Sequence, residues 1–287
     1  MVLNFPKITA GLYLVATPIG TASDISLRAL HLLKNAEILV AEDTRVLRKL
    51  LAVHKIELNG RQILLYHDHN SAGQRTKIIQ LVKANKSAVL VSDAGTPLIA
   101  DPGYKLVREA ILNDIQINSV PGASALLSAL ILSGFPTNNF FFAGFVPSQK
   151  KAKRKFFSDL LGLNTTIIFY ESPKRLNETL SILNKICQID QQIAVCRELT
   201  KKYEQVKRGK IKFVMEYFIS KDQIKGEIAV AMAPAKPSVP SKDEVEAALL
   251  LALEKETMKD AVSLVSKNLK VSRKTVYSQA LILRNKT

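Results

Sequence analysis

Val89-Leu90-Val91-Ser92-Asp93-Ala94-Gly95-Thr96-Pro97 and Val120-Pro121-Gly122-Ala123-Ser124-Ala125 are the two stretches that decide the fold of this 287-residue chain. Each runs from an apolar, β-like segment through a Gly/Pro turn towards a helical stretch, which after the second is Leu126-Leu127-Ser128-Ala129-Leu130-Ile131-Leu132. Strand, tight turn and helix is the arrangement by which α/β proteins build ligand crevices at the carboxyl ends of parallel strands. Gly lets backbone approach a ligand closely, and Pro restricts the loop. One such loop alone reads better as ordinary turn chemistry. Taken as a pair, they read as the floor of a cofactor site.

Outward from these loops the same alternation continues. Leu12 to Ala16 is a buried-strand run ending in Thr17-Pro18-Ile19-Gly20, and a helix starts near Asp24 or Ser26 with Leu27, Leu30 and Leu33 at helical spacing. Ile38 to Ala41 leads to Glu42-Asp43-Thr44-Arg45, and Ile63 to Tyr66 leads to His67-Asp68-His69-Asn70. Ser71 with Gln74 forms a capping-box start for the next helix. With Val89 to Val91 and a strand over Ile115 to Ser119, residues 1–120 read as an α/β domain around a parallel sheet.

Residues 121–234 read as a second α/β domain. Its strands are Phe140 to Phe145, Thr165 to Tyr170, Ile193 to Cys196 and Glu227 to Met232, with a basic helix and a helix from Leu176 to Ile186 between them. Fewer helices separate these strands, which predicts a mixed sheet. Pro234 to Pro240 is a stiff linker. Residues 241–287 carry only helical patterns, with Ser241/Glu244 and Thr257/Asp260 as caps. Asn268 to Tyr277, with a Ser272 cap and the basic pair Arg273 and Lys274, follows a helix-turn-helix pattern; a small packing bundle is the other reading. The predicted fold is two α/β domains and a small helical C-terminal domain.

Charge is the unusual feature of the composition. There are 41 basic and 25 acidic residues, a net +16, which favours an anionic partner, nucleic acid being the commonest; a basic protein kept soluble by Lys is the plainer alternative. Cys187 and Cys196 make neither a metal-ligand pattern nor a disulfide framework, so a reduced, cytoplasmic setting is expected. The chain does not open on a signal-peptide pattern, and the longest nearly apolar run, Ala123 to Phe135, is too short to span a bilayer. It reads as a buried helix, and no membrane partner is expected.

Several chemistries are excluded. The chain has no G-x-x-x-x-G-K-[ST] loop, no G-x-G-x-x-G after the first strand and no G-x-S-x-G elbow. His67 and His69 lack an evident third ligand, so no metal site is expected. What remains are charges at strand ends. Asp24 reads either as an N-cap or as a carboxylate beside the crevice. Glu42, Asp43 and Arg45 end one strand, Glu171 to Arg175 another, and Arg197, Glu198, Thr200 and Lys201 a third. Such clusters in both halves point to one cleft between them. Lys150, Lys151, Lys153, Arg154 and Lys155 crowd the basic helix with no acid among them, and Arg197 to Lys212 adds a second basic run, so both read as phosphate contacts. Phe156, Phe157, Tyr170 and Tyr203 are available for stacking, although the two Phe are more often core.

In order along nearly the whole chain, these motifs resemble one family. They are Leu12 to Gly20, Asp24 to Leu30, Ala41-Glu42-Asp43-Thr44-Arg45, Ser92 to Pro97, Asp101-Pro102-Gly103, Pro121 to Ala125, Phe169 to Pro173 and Arg197 to Lys201. The chain is similar to the ribosomal RNA small-subunit methyltransferase I group, within the tetrapyrrole-methylase-like class of S-adenosylmethionine (SAM) enzymes. The resemblance implies SAM bound between two α/β domains, a homodimer, and 2′-O-methylation of a cytidine in the decoding centre of 16S rRNA, with the 30S subunit as its setting. It implies Asp93, Gly95, Thr96 and Pro97 as the main cofactor loop, Ser124 and Ala125 as the second, Tyr170 as the opposite wall, and Pro18 and Asp24 beside the transfer point. Thr21-Ala22-Ser23 stands where Asn-Leu is usual and Ala100 where Ser is usual, and residues 209–226 are less typical.

Methyl transfer to a ribose hydroxyl needs in-line alignment and a base, or a cation to stabilise the alkoxide; such help is typically worth about 10²–10⁴-fold. Asp24, Asp43 and Glu171 are the candidate bases, with Asp24 or Asp43 preferred; Arg45, Lys174 and Lys201 are the candidate cations. Lys150 to Lys155, Lys201, Arg273 and Lys274 are the expected RNA contacts. Two competing readings are a methyltransferase of a small tetrapyrrole-like substrate, which would have no use for the charge or the tail, and an RNA-binding protein without SAM affinity.

Overall fold

The apolar runs of the first half form β1 (Gly11–Val15), β2 (Ile38–Ala41), β3 (Ile63–Leu65), β4 (Ser87–Val91) and β5 (Ile117–Val120). In the computed structural model, which describes Phe5 and residues 7–68, 72–235, 242–269 and 271–284, these strands make one sheet in the order β3-β2-β4-β1-β5. All four pairings are parallel. Helices α1 (Leu27–Asn35), α2 (Thr44–Val53), α3 (Ala72–Lys83) and α4 (Tyr104–Leu112) connect the strands. Separate apolar cores line the two faces. This is why β2, and β4 after Ser87, are continuous apolar runs rather than alternating ones: every residue of both is buried. The order matters for the site because β2, β4, β1 and β5 are neighbours, so the loops leaving their carboxyl ends meet.

The second half begins with α5 (Ala125–Ser133) and continues through β6 (Phe140–Phe145), α6 (Lys150–Leu161), β7 (Thr166–Glu171), α7 (Leu176–Ile186), β8 (Gln192–Arg197), β9 (Gln205–Lys210), α8 (Ile211–Ile219) and β10 (Ile228–Met232). The sheet order is β6-β7-β10-β8-β9, with β6 and β7 parallel and the rest antiparallel. The sparse helices correctly indicated a mixed sheet. Two elements are additional to the strands and helices expected from sequence. β9 is a polar edge strand, QVKRGK, and α8 follows it at once. The expectation of a buried helix after Ser124 needs correction too: α5 buries Ala129 and Leu130, but Leu127 and Ile131 are exposed.

The chain divides into two compact units, Met1–Ala235 and Lys236–Thr287. The second unit holds α9 (Lys242–Leu253), α10 (Met258–Leu269) and α11 (Arg273–Arg284) around a core including Val245, Leu249, Val262, Val265 and Val276. Thr257 accepts from the Asp260 N–H at 3.3 Å and donates to its carboxylate at 2.6 Å, a cap of the kind the sequence indicated. Ser272 caps α11 by accepting from the Thr275 N–H at 3.1 Å. The Ser71 and Ser241 caps, the linker residues 236–240 and Lys270 lie outside the described residues. Among the described residues no helix is long and apolar enough to cross a membrane.

Candidate active site

Backbone bonds join the strand-end loops into one floor. Thr17 N–H donates to the Gly95 carbonyl at 2.8 Å and Gly95 N–H returns a bond to Thr17 at 3.0 Å. The Thr17 hydroxyl donates to Ser92 O at 3.3 Å, and the Thr96 hydroxyl donates to Ala123 O at 3.1 Å. Gly95 is needed here because its φ of +81° is a left-handed conformation. Gly122 serves closeness instead: a Cβ there would lie 3.0 Å from that of Ala16. The first-strand loop also reaches the second sheet. Thr21 N–H donates to the Thr200 hydroxyl at 3.1 Å, the Thr21 hydroxyl donates to the Thr200 carbonyl, and a Cβ on Gly20 would meet Leu199 O at 2.9 Å.

Between the sheets lies a cavity of about 430 Å³, within the size range of small-molecule and cofactor sites. Asp93, Gly95, Thr96, Ser124 and Ala125 line one side of it, and Tyr170, Leu199, Ile228 and Ala229 belong to the other. The Ser124 hydroxyl accepts from Leu127 N–H at 3.4 Å, capping α5. Tyr170 packs edge-on against Phe142 and Phe145, with ring centres 5.0 and 5.3 Å apart. Burial pushes its phenol up to about 12, opposed by a bond from Leu126 N–H and reinforced by the charge of Asp101. At neutral pH it is therefore a hydrogen-bonding group and not a base.

The first half supplies the acids. Glu42, Asp93 and Asp101 all line the cavity, and none forms an ion pair among the described residues. Burial pushes the Asp101 carboxyl up to about 6, moderated by a bond from Ser92 and reinforced by Glu42 and Asp93. Burial also raises Glu42, followed by repulsion from Asp93. Glu42 was expected only as part of the Glu42–Arg45 strand-end cluster, and Asp101 is a site residue additional to those expected from sequence. The available signal for Asp101 was its place in Asp101-Pro102-Gly103, next to Ala100, which adopts φ +63°.

The acids of the second half are bound to cations. Glu171 lines the cavity but is buried, accepting from Ser172 N–H at 2.7 Å and the Thr179 hydroxyl at 2.5 Å, with Arg175 at 2.9 Å and Lys153 at 3.9 Å. These partners make it a structural node of the wall. Lys153 is correspondingly not the surface RNA contact expected from sequence. Its side chain is 0% exposed and pairs with Glu178 at 2.7 Å, because residues 153, 157 and 160 share the buried face of α6. Lys155 pairs with Asp159 at 2.8 Å, so the helix does contain a compensating acid; Lys150, Lys151 and Arg154 are exposed. Lys201 binds Glu198 at 3.0 Å and Glu227 at 2.9 Å. Burial alone would lower its ammonium, but those carboxylates outweigh burial and raise it.

The remaining expected site residues are not part of the cavity lining. Pro18 and Pro97 flank loop residues that do line it, and Pro97 is buried. Asp24 is exposed on a short 3₁₀ turn, Ala22–Asp24; it does not cap α1, since Ser26 accepts from Ala29 N–H at 3.1 Å. Asp43 caps α2 and is gripped by Arg45 at 2.6 Å, which lowers its carboxyl to about 2. Its N–H donates to Asp93 at 3.0 Å, placing it directly behind the acidic wall. Lys174 is exposed, as are Arg273 and Lys274 on α11. His69 lies outside the described residues, and among those described no three His, Cys, Asp or Glu side chains are placed to hold a metal ion.

Comparison with known proteins agrees with this architecture. Residues 11–214 match the family model described as Tetrapyrrole (Corrin/Porphyrin) Methylases. The chain is 43% identical over 226 residues to the ribosomal RNA small subunit methyltransferase I of Rickettsia prowazekii, covering 79% of each chain. It is 38% identical to the protein of that name from Mesorhizobium japonicum, over 96% of this chain and 92% of the other. Among solved structures, uroporphyrin-III-C-methyltransferase from Thermus thermophilus aligns with a TM-score of 0.53 at 16% identity, covering 77% of this chain and 94% of that one. Diphthine synthase aligns with a TM-score of 0.59 at 15% identity, over 77% and 89%. At such identities these two establish the fold alone. The matches along the sequence go further, and the chain belongs to the tetrapyrrole methylases and, within them, to the ribosomal RNA small subunit methyltransferase I family.

Proposed function

We propose that this protein uses SAM to methylate the ribose 2′-hydroxyl of a cytidine in the decoding centre of 16S rRNA, within the 30S subunit of the cytoplasm. One observation carries the cofactor assignment. A chain of net charge +16 lines its strand-end cavity with Glu42, Asp93 and Asp101, none of them in an ion pair among the described residues. An anionic ligand would be repelled there; a ligand with sulfonium and ammonium charges is complementary. The apolar side formed by Ile19, Leu199, Ile228 and Ala229 suits the uncharged remainder of such a ligand. When bound, SAM supplies an already activated methyl group.

The chain's own residues then hold, orient and deprotonate. Asp93 and Asp101 anchor the cationic end, and the Gly95–Thr96 and Ser124–Ala125 loops fix the ligand from below. Asp43 is unsuited to accept the hydroxyl proton at neutral pH, because Arg45 holds it near 2. Asp24, exposed just after the first-strand loop and in no ion pair among the described residues, is assigned that role. The rRNA assignment rests on the family relationship and the basic exterior. A homodimer is assigned from the same relationship, with the exposed Leu127 and Ile131 of α5 as apolar surface available to a second copy.

The decisive experiment incubates the full-length protein with methyl-labelled SAM and unmodified 30S particles, then identifies the labelled nucleoside. Label in 2′-O-methylcytidine is the expected result; label transferred to a precorrin-type substrate and not to 30S would overturn it. Asp24→Asn should lower the transfer rate by about 10²–10⁴-fold with SAM affinity unchanged by calorimetry. Turnover within twofold of wild type would remove Asp24 as the base.

A further inference from the structure

We propose that the outer face made by β9, the C-terminal half of α8 and residues 220–225 is a track for single-stranded RNA approaching the cavity. The proposal rests on the rRNA reading above and specifies a surface for it. Residues 201–225 hold eight basic residues against three acidic ones. Within that segment, two ammonium groups share one aromatic ring: Lys207 Nζ lies 4.5 Å and Lys221 Nζ 4.7 Å from the centre of the Tyr217 ring. Neither lysine has an ion-pair partner among the described residues. The ring quadrupole attracts each cation but leaves both charges without a counter-ion among the described residues, which an anion would supply. A phosphodiester is such an anion.

A lysine on a sheet edge also discourages edge-to-edge pairing, and β9 is an edge strand. That role does not account for Lys221, which lies beyond α8 and belongs to no strand. Nor does it account for Tyr203. This tyrosine is 65% exposed in the turn between β8 and β9, with Lys202 Nζ 5.6 Å from its ring centre. An exposed ring flanked by a cation is the combination that stacks on a nucleobase beside a charged backbone.

Hydrogen bonds link this face to the cavity. The Tyr217 hydroxyl accepts from Gln205 at 2.7 Å, Gln205 accepts from Arg197 Nε at 3.3 Å, and Arg197 Nη1 donates to Lys225 O at 3.1 Å. Lys225 directly precedes Gly226, which lines the cavity, as does Leu199 in the turn that carries Tyr203. Phosphates on the Lys207–Lys221 pair and a base on Tyr203 would therefore leave the strand at the cavity rim.

The test is fluorescence anisotropy of the full-length protein with a labelled oligocytidylate, titrated at several salt concentrations. Replacing Lys207 and Lys221 together by Gln should flatten the plot of log affinity against log salt by about 1.4, two contacts at about 0.7 each. Tyr203→Ala should weaken binding about 5- to 160-fold and leave that slope unchanged. Far-ultraviolet circular dichroism checks folding; should the double variant fail to fold, Lys221→Gln alone should still flatten the slope by about 0.7. An unchanged slope in a folded variant overturns the proposal. So does equal weakening of poly-glutamate binding by Tyr203→Ala, which would indicate an acidic protein partner. Calorimetry with SAM keeps the two readings apart: wild-type protein that fails to bind SAM yet shows the expected RNA behaviour sinks the cofactor assignment and leaves this surface standing.

Discussion

The two halves that enclose the cavity treat their carboxylates in opposite ways. In the first half burial, followed by repulsion from Asp93, raises the Glu42 carboxyl, and burial, with Glu42 and Asp93 nearby, raises that of Asp101, neither acid having an ion-pair partner among the described residues. In the second half Glu171 is surrounded by Arg175, Lys153 and two hydrogen-bond donors, and Glu198 by Lys201 and the Glu227 N–H. Burial would raise Glu198 as well, but those donors outweigh it and lower its carboxyl. The contrast separates function from scaffold. An acid already paired within the protein belongs to the scaffold; on the proposed cofactor reading, one left without a counter-ion is the acid that receives a cationic ligand.

The largest effect should come from breaking the satisfied side. Lys153→Ala removes the buried ammonium that pairs with Glu178 and lies 3.9 Å from Glu171, leaving Arg175 as the cation on Glu171, and urea denaturation should show a loss of about 1–3 kcal/mol. A loss below 1 kcal/mol would mean that the network is dispensable, and would erase the contrast. On the unsatisfied side, Asp101→Asn should weaken SAM binding about tenfold or more, read by calorimetry, while raising stability at neutral pH. The folded chain keeps this proton up to about pH 6, whereas an unfolded aspartate loses it near 4. Stability is therefore lost as pH rises through that window, and the amide escapes the loss. Thermal unfolding at pH 4 and pH 7.5 should show the variant's advantage only at the higher pH.

A smaller effect follows from the same carboxyl. SAM affinity of the wild type should decline as pH falls below about 6, because a protonated Asp101 no longer attracts a cation, and the Asn variant should show a flatter profile. Smallest of all is Arg45→Ala. The Asp43–Arg45 pair is exposed, and its removal should leave the thermal midpoint within error of wild type. A drop of several degrees would place Asp43 among the structural carboxylates of the second half.

Much of this arrangement was legible in the chain itself. Most of the first sheet could be read because β1 to β4 are largely apolar runs closed by Gly, Pro or charged residues, a local signal. The loops around Asp93 and Ser124 were legible for the same reason. Lys153 was misread although its helix carried the clue: spacing to Phe157 and Leu160 puts it on the buried face. What no local pattern carried was its partner, Glu178, on a different helix. Asp101 was obscured similarly, since its environment depends on Glu42 and Asp93 from two other strand ends. β9 gave almost no signal, because an edge strand of Lys, Arg and Gln has no buried face to advertise.

The bonds from Thr21 to Thr200 have a mechanical consequence. The first-strand loop is tied on one side to Gly95 of its own sheet and on the other to a turn of the opposite sheet. Such a double attachment acts as the spine of a book. With Thr17 bonded to Gly95 and Thr21 to Thr200, this edge of the cavity cannot widen without breaking hydrogen bonds to both halves.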